Sequence, residues 1–522
     1  MTRIPPAFPL SHVLALLLVF FSIVMSALVS RTVFERLPHL EDEVAYLYQA
    51  RIFARGDLVI ESPQPRRAFW QPFVVDYNDR RFGKYTPGWP AMLAAGVLLG
   101  QPWVVNAFLA GLTVALVYRL GREIFNPETG VIAAALTAFS PMALLLNATL
   151  MGHTAALCFT TLFMYAYWRM ERRRQALKWG VIAGIALGLV VINRPLTAVG
   201  ISAPFVVWSG IRLARSVIHR GELETYTILR PLLALAGITL LISMAIPIFN
   251  TAATGNPATN LYTLVWSYDK VGFGEGYGRN GHTLEKGIRH ARFDLSLMAA
   301  DLFGWQLGAI TPDLQQHLLT EGDYWPPTGL SWILLPFGLF LARRKRWTWL
   351  LAAVPVMLII VHLAYWIGSQ RYSTRYYFEA LTALSLLSAI PLAWFWRRIP
   401  DRLLRGLWAF GFAALLVYTH YTYTIPRITP LYRFNQVGQH QIEAVMERRE
   451  GDRPVLVLVT GDDVRWRAFG SLMAVTSPYL DSDIVAAWDN LMPGMRADIL
   501  SRFPDRQVIE MDAVGNEATF RE

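Results

Sequence analysis

The sequence predicts an all-α polytopic membrane protein of about eleven transmembrane helices, with interfacial helices in the first outer loop and a small C-terminal α/β domain. Three observations carry that expectation. Of 522 residues, 54% are hydrophobic and 16% charged, and mean hydropathy is +0.33, whereas soluble domains average about 25% charged. Apolar runs long enough to cross a bilayer recur along positions 1–424. Beyond them the pattern changes to short β-branched stretches.

The apolar runs fall at 11–32, 102–121, 130–149, 152–170, 178–194, 196–213 and 231–249, then at 328–343, 347–367, 376–396 and 403–424. Each is of spanning length, about 17–25 residues. The first has only Arg3 ahead of it and exceeds the apolar core of a cleaved signal, so it reads as a retained span. Arg169 with Arg172-Arg173-Arg174, Arg212 with Arg215, Arg343-Arg344-Lys345-Arg346, and Arg397-Arg398 with Arg402 all fall on one face. The excess of Lys and Arg in short loops makes that face cytoplasmic. The N-terminus is then cytoplasmic, and the first outer loop (32–101), a second long outer loop (250–327), a short loop at 369–375 and the C-terminal domain (425–522) lie outside. A bacterial plasma (inner) membrane is the expected location.

Other classes are disfavoured by composition. The net charge of +10 resides largely in loops that set orientation, so no nucleic-acid partner is expected. A single cysteine, Cys158, within an apolar run leaves no intrachain disulfide framework or cysteine metal site. No His pair at metal-binding spacing occurs, so no cofactor is required, with a divalent ion left open.

Within the first outer loop, Val44 to Arg55 mixes Val44, Leu47, Tyr48, Ile52 and Phe53 with Gln49, Arg51 and Arg55 and stops at Gly56, which predicts an interfacial amphipathic helix. In the tail, 454–460 reads as a buried strand, 464–473 as a helix and 506–511 as a second strand. Gly461-Asp462-Asp463 between the first two reads as an Asp-capped turn.

The chemistry centres on Glu41-Asp42-Glu43. Asp42 and Glu43 open the predicted helix, where unpaired N–H groups and the helix dipole favour ionised carboxylates. Capping alone would account for the triplet, but other motifs accompany it. Gly83-Lys84-Tyr85-Thr86-Pro87-Gly88-Trp89-Pro90 holds a lone lysine on a backbone that prolines restrict. It reads as a phosphate-binding cation or as a snorkelling side chain. Arg194 precedes Pro195, and Arg375 stands four residues before Glu379. Both arginines lie at outer span ends against the charge bias. Arg375 and Glu379 fit an internal ion pair or phosphate binding equally. His153 begins the fourth span, and Gly272-Phe273-Gly274 through Gly281-His282 reads as a mobile flap or a surface loop. Trp70, Tyr77, Tyr85, Trp89, Trp266 and Tyr277 fit sugar stacking or an interfacial belt.

Asp42-Glu43, Tyr46, Ala50 and Ala54-Arg55-Gly56-Asp57, followed by Lys84 and Pro87, resemble the first outer loop of GT-C-fold membrane glycosyltransferases, in the aminoarabinose transferase and protein O-mannosyltransferase branch. Asn193-Arg194-Pro195, Gly272-Phe273-Gly274, Gly304-Trp305 and Arg375-Tyr-Tyr-Phe-Glu379 extend the likeness to bacterial relatives. A departure is Lys84-Tyr85-Thr86-Pro87 where those transferases often show Lys-Pro-Pro. The resemblance implies transfer of a sugar from a polyprenyl-phosphate donor to an acceptor hydroxyl on a lipid, polysaccharide or protein at the outer face, usually with inversion. It implies Asp42 as base with Glu43 as partner, and Lys84, Arg194 and Arg375 at the donor phosphate. Tyr46, Tyr85, His153, Glu379 and His282 are expected at the substrate. This suits the chemistry, since a phosphate leaves as a stabilised anion and the acceptor hydroxyl needs a base on the opposite face of the sugar. The alternative is a lipid or sugar transporter, against which stand the absence of an evident repeat and of ionisable residues at mid-depth.

Overall fold

A computed structural model describes residues 10–172, 174–219, 222–307, 329–369 and 372–521. The expected span at 328–343 begins outside these residues, and all of 308–327 in the second outer loop lies outside them. Helices α1 (Leu10–Thr32), α2 (Glu41–Ala54), α3 (Gly88–Leu98), α4 (Val104–Ile124), α5 (Pro127–Ala138), α6 (Pro141–Asn147), α7 (His153–Glu171), α8 (Ala176–Asn193) and α9 (Pro195–His219) follow in order. They continue with α10 (Glu222–Ser243), α11 (Ala245–Thr254) and α12 (Leu284–Asp301), then Arg346–His362, Leu381–Arg398 and Arg402–Thr419.

Among the described residues seven helices are long and apolar enough to cross a membrane, or eight if α5 and α6, bent by 58°, form one broken span. The sequence suggested about eleven. The shortfall has two visible sources besides the span at 328–343, whose described part holds only the seven-residue helix Leu335–Leu341. Helix α7 carries the polar and charged residues that serve the bundle interior and one face, and Arg346–His362 is only 17 residues long. The break between α5 and α6 falls at Ser140-Pro141, where the Ser140 hydroxyl caps the second segment by accepting from the N–H of Ala143.

The first outer loop departs from a plain amphipathic helix. Helix α2 begins at the acids themselves, and nine of its 14 residues are buried. It presents no free apolar face to lipid because it is covered from two sides. On one side lies a three-stranded antiparallel sheet in the order β1 (Ile60–Glu61), β3 (Arg80–Gly83), β2 (Val74–Tyr77). Its hairpin turns at Asn78 and Asp79, both at positive φ (48° and 60°), a geometry that Asn and Asp tolerate and that matches strand twist. On the other side lies the tail, with Leu37 and Val44 joining its apolar core.

The tail is a four-stranded sheet in the order β5 (Ile484–Asp489), β4 (Val455–Thr460), β6 (Gln507–Val514), β7 (Glu517–Phe520). Strand β4 runs parallel to both neighbours and is buried throughout, as its unbroken Val-Leu-Val-Leu-Val run requires. The helix expected at 464–473 is instead a 3-10 turn (Trp466–Ala468) followed by Gly470–Val475. Strands β5 and β7 had no sequence counterpart.

Candidate active site

Between the first outer loop, the outer ends of the spans and the second outer loop lies a cavity of about 240 Å³. Six of the ten residues singled out from the sequence line it, namely Asp42, Tyr46, Tyr85, His153, Arg194 and Arg375. Each arrives for a local reason. Asp42 sits in the first turn of α2, where the free N–H groups and dipole favour its charge. Arg194 ends α8 in an extended conformation (φ −144°, ψ 82°), which the following Pro195 favours over the helical one. Its guanidinium donates to Nε2 of His153 at 2.7 Å.

Asp42 accepts a 2.6 Å hydrogen bond from the Tyr85 hydroxyl and faces the Arg375 guanidinium at 3.6 Å. Burial alone would raise its carboxyl, but Arg375, then Tyr85 and Lys84, outweigh burial and hold it below the ordinary aspartate value. An ionised carboxylate therefore faces the cavity. Its side chain keeps 19% of its surface, so an incoming hydroxyl can reach it.

The other two acids of the triplet point elsewhere. Glu41 accepts from the indole N–H of Trp466 in the tail at 3.0 Å. Glu43 does not line the cavity and is 1% exposed. Its carboxylate accepts from the N–H groups of His39 (2.9 Å), Leu40 (3.0 Å) and Leu150 (2.7 Å) and from the Tyr372 hydroxyl (2.7 Å). Burial pushes Glu43 up to about 7, with those donors acting the other way. It clamps three segments together.

Lys84, Glu379 and His282 also lie outside the lining. Lys84 is 3% exposed and pairs with Asp269 at 3.3 Å in an aromatic box whose nearest walls are Phe73 at 3.8 Å and Trp266 at 4.7 Å. Burial lowers its ammonium, and Asp269 and Asp42 oppose that. Glu379 is fully buried and meets Arg194 at 3.4 Å, so it backs the cavity wall. His282 Nε2 bonds the carbonyl of Leu363 at 2.9 Å and its ring stacks on Phe273, fastening the second outer loop to the bundle.

The internal Arg375–Glu379 pair does not form. Arg375–Ala380 is a 3-10 helix, in which residues four apart point about 120° apart instead of stacking. Arg375 pairs with Asp42 and Glu379 with Arg194. The sequence reading missed Asp269, Lys270 and Tyr262 from the second outer loop, and Tyr365 and Tyr376. Asp269 is held by Lys84, by the Tyr365 hydroxyl at 3.2 Å and by the Trp366 indole at 2.9 Å. Lys270 is exposed to the cavity and among the described residues has no ion pair, whereas Arg194, Arg375 and Lys84 each face a carboxylate. The one signal for these residues was the Asp269-Lys270 charge pair ahead of Gly272-Phe273-Gly274. Among the described residues no three His, Cys, Asp or Glu side chains converge as a metal site would require.

A family model described as dolichyl-phosphate-mannose-protein mannosyltransferase matches residues 89–248, from α3 into α11. The fold is similar to apo ArnT from Cupriavidus metallidurans (TM-score 0.56, 11% identity, 95% of this chain and 92% of that chain) and to the same protein bound to undecaprenyl phosphate (0.54, 12%, with the same coverage). It is also similar to the oligosaccharyltransferase AglB from Archaeoglobus fulgidus in complex with an inhibitory peptide and a dolichol-phosphate (0.52, 13%, 96% of this chain and 69% of that chain). No curated protein sequence matches the chain. The architecture is the GT-C fold of membrane glycosyltransferases.

Proposed function

We propose that this protein transfers a sugar from a polyprenyl-phosphate donor to an acceptor hydroxyl at the extracytoplasmic face, inverting the anomeric centre, with Asp42 as general base. The observation that carries the reading is an ionised carboxylate and several cations lining one cavity: Asp42 opposite Arg375 at 3.6 Å, with Arg194 and Lys270 in the same walls.

The division of labour follows from charge. Asp42 accepts the proton of the acceptor hydroxyl as it attacks the anomeric carbon, and the carbon–oxygen bond to the lipid phosphate breaks. The departing phosphate carries negative charge that needs preorganised donors. Arg375 and Arg194 supply planar guanidinium groups suited to phosphate oxygens. Lys270 supplies a cation that no carboxylate among the described residues neutralises. Lys84, behind the wall, contributes its field to Asp42, and Glu379 fixes Arg194. Tyr46, Tyr85 and His153 offer ring faces and hydrogen bonds to sugar. Glu43 and His282 act by holding the loops that carry these groups. Phosphate leaves without protonation, so no general acid and no metal step is needed in this scheme.

The ArnT structure bound to undecaprenyl phosphate and the AglB structure with dolichol-phosphate support a polyprenyl-phosphate donor here. Membrane orientation rests on the basic clusters, which place the cavity at the extracytoplasmic end of the spans.

The test is mass spectrometry of lipid co-purifying with the Asp42→Asn protein. A polyprenyl phosphate carrying an uncleaved sugar is expected, and its masses identify chain and sugar together. Recovery of ordinary phospholipids alone, under conditions that retain a polyprenyl-phosphate sugar added as a standard, would remove the donor assignment.

A further inference from the structure

A second cavity, of about 820 Å³, lies at the opposite end of the bundle. Helix α4 connects the two sites. Its early residue Asn106 donates to the carbonyls of Thr149 and Met151 beside the catalytic loop. Its last residue, Ile124, gives its carbonyl to the Lys345 ammonium at 3.0 Å in the wall of the second cavity. The 21-residue helix separates these ends by about 30 Å.

Five cations surround this groove: Arg343, Arg344, Lys345, Arg397 and Arg398. Among the described residues no carboxylate lines it. Other cations on the same face are neutralised, Arg169 by Glu123 at 2.9 Å and Arg212 and Arg346 by Glu171 at 3.1 and 3.2 Å. Among the described residues none of the five has such an ion pair. Burial, and then Arg397, lowers the Lys345 ammonium, as expected where like charges crowd. Below the cationic rim the wall is apolar, formed by Phe125, Leu341, Ile390 and Trp394, with Arg398 packed over the Trp394 ring at 3.8 Å.

Setting the orientation of a membrane protein requires positive loops, but it does not require them to converge on one groove without a counter-charge. A cationic rim above an apolar wall at the membrane boundary matches one occupant, a lipid with an anionic headgroup and acyl chains. We propose that this groove binds an anionic membrane phospholipid, its phosphate among Arg343, Arg344, Lys345, Arg397 and Arg398 and its chain along Phe125, Ile390 and Trp394. The site is separate from the catalytic cavity and stands whether or not the transferase reading does.

The test is native mass spectrometry of the full chain in neutral detergent with phosphatidylglycerol, phosphatidylcholine of the same chains, or inorganic phosphate. Wild type is expected to retain one phosphatidylglycerol under activation that strips phosphatidylcholine. The double variant R344Q/R397Q should bind it about thirtyfold more weakly, two surface-charge interactions being lost. The control R172Q/R215Q, which removes two exposed cations of the same face away from the groove, should bind as wild type. R344K/R397K should restore binding. Single R344Q and R397Q carry the same comparison if the double variant does not fold. Equal retention of both lipids, equal loss in the two Gln doubles, or displacement of the lipid by millimolar phosphate would overturn the proposal.

Discussion

Glu41, Asp42 and Glu43 are neighbours in sequence that meet three different surroundings, because successive residues of an α-helix are rotated by about 100°. Glu41 turns to the tail, Asp42 to the cavity and Glu43 into the packed interior. Of the three, Asp42 lines the cavity. The sequence could locate the triplet at the outer membrane boundary but could not rank its members, since their partners Trp466, Arg375 and Leu150 lie more than a hundred positions away. Two outcomes follow. Glu43→Ala strands four buried donors and is expected to lower stability by at least about 2 kcal/mol, while Glu41→Gln, which keeps an acceptor for Trp466, should cost about 0.5 kcal/mol or less. Thermal unfolding in detergent compares them. Arg375→Gln removes the charge that most strongly opposes burial at Asp42, so the Asp42 carboxyl should rise. A base must be deprotonated to act, and the acid limb of the kcat/KM profile should move to higher pH. A limb that stays in place would separate Arg375 from the base.

At the scale of elements, the close approach of α3 to the end of α8 positions the Lys84–Trp89 segment. Gly88 opens α3 directly against Ile192, and a Cβ there would fall 2.5 Å from the Ile192 carbonyl carbon and oxygen. Thr86, just before it, donates to the carbonyl of Asn193 at 3.0 Å, and Asn193 donates to the carbonyl of Gly152 at 2.9 Å. Gly88→Ala should therefore push the Lys84–Trp89 segment off Asn193-Arg194 and cost about 1–3 kcal/mol, seen as a lower unfolding temperature. Unchanged stability would mean that this contact is slack. Element positions legible from the sequence were those written in local pattern: the long apolar runs, the buried strand β4 and the helix behind the acids. Strands β1 to β3 were not, because β1 has two residues and the others four, too short for an alternating pattern to show. Nor was the 3-10 geometry at Arg375, which gives Arg375 and Glu379 separate ion-pair partners.

Over the whole molecule, the cavity is assembled by pairs that are remote in sequence. Lys84 meets Asp269, Arg194 meets Glu379 and Arg375 meets Asp42. Arg194 and Arg375 were visible as arginines at span ends against the charge bias and Lys84 as a lone lysine on a proline-restricted backbone, whereas the partner from the second outer loop was not, since no local rule connects position 84 with position 269. The tail closes the assembly from outside, through Arg51 to the carbonyl of Thr476 at 3.0 Å, Arg55 to Asp481 at 2.7 Å and Tyr479 to Asp57 at 2.6 Å. It covers α2 and so stiffens the helix whose first turn holds Asp42. The central claim is that Asp42 performs proton abstraction in sugar transfer from a polyprenyl phosphate. It is tested most directly by following labelled sugar from polyprenyl-phosphate donors to membrane acceptors with wild-type and Asp42→Asn protein, each with and without EDTA. Transfer by wild type is expected in both conditions, with loss of at least about a hundredfold in the variant at unchanged unfolding temperature. Transfer by Asp42→Asn at the wild-type rate would contradict it.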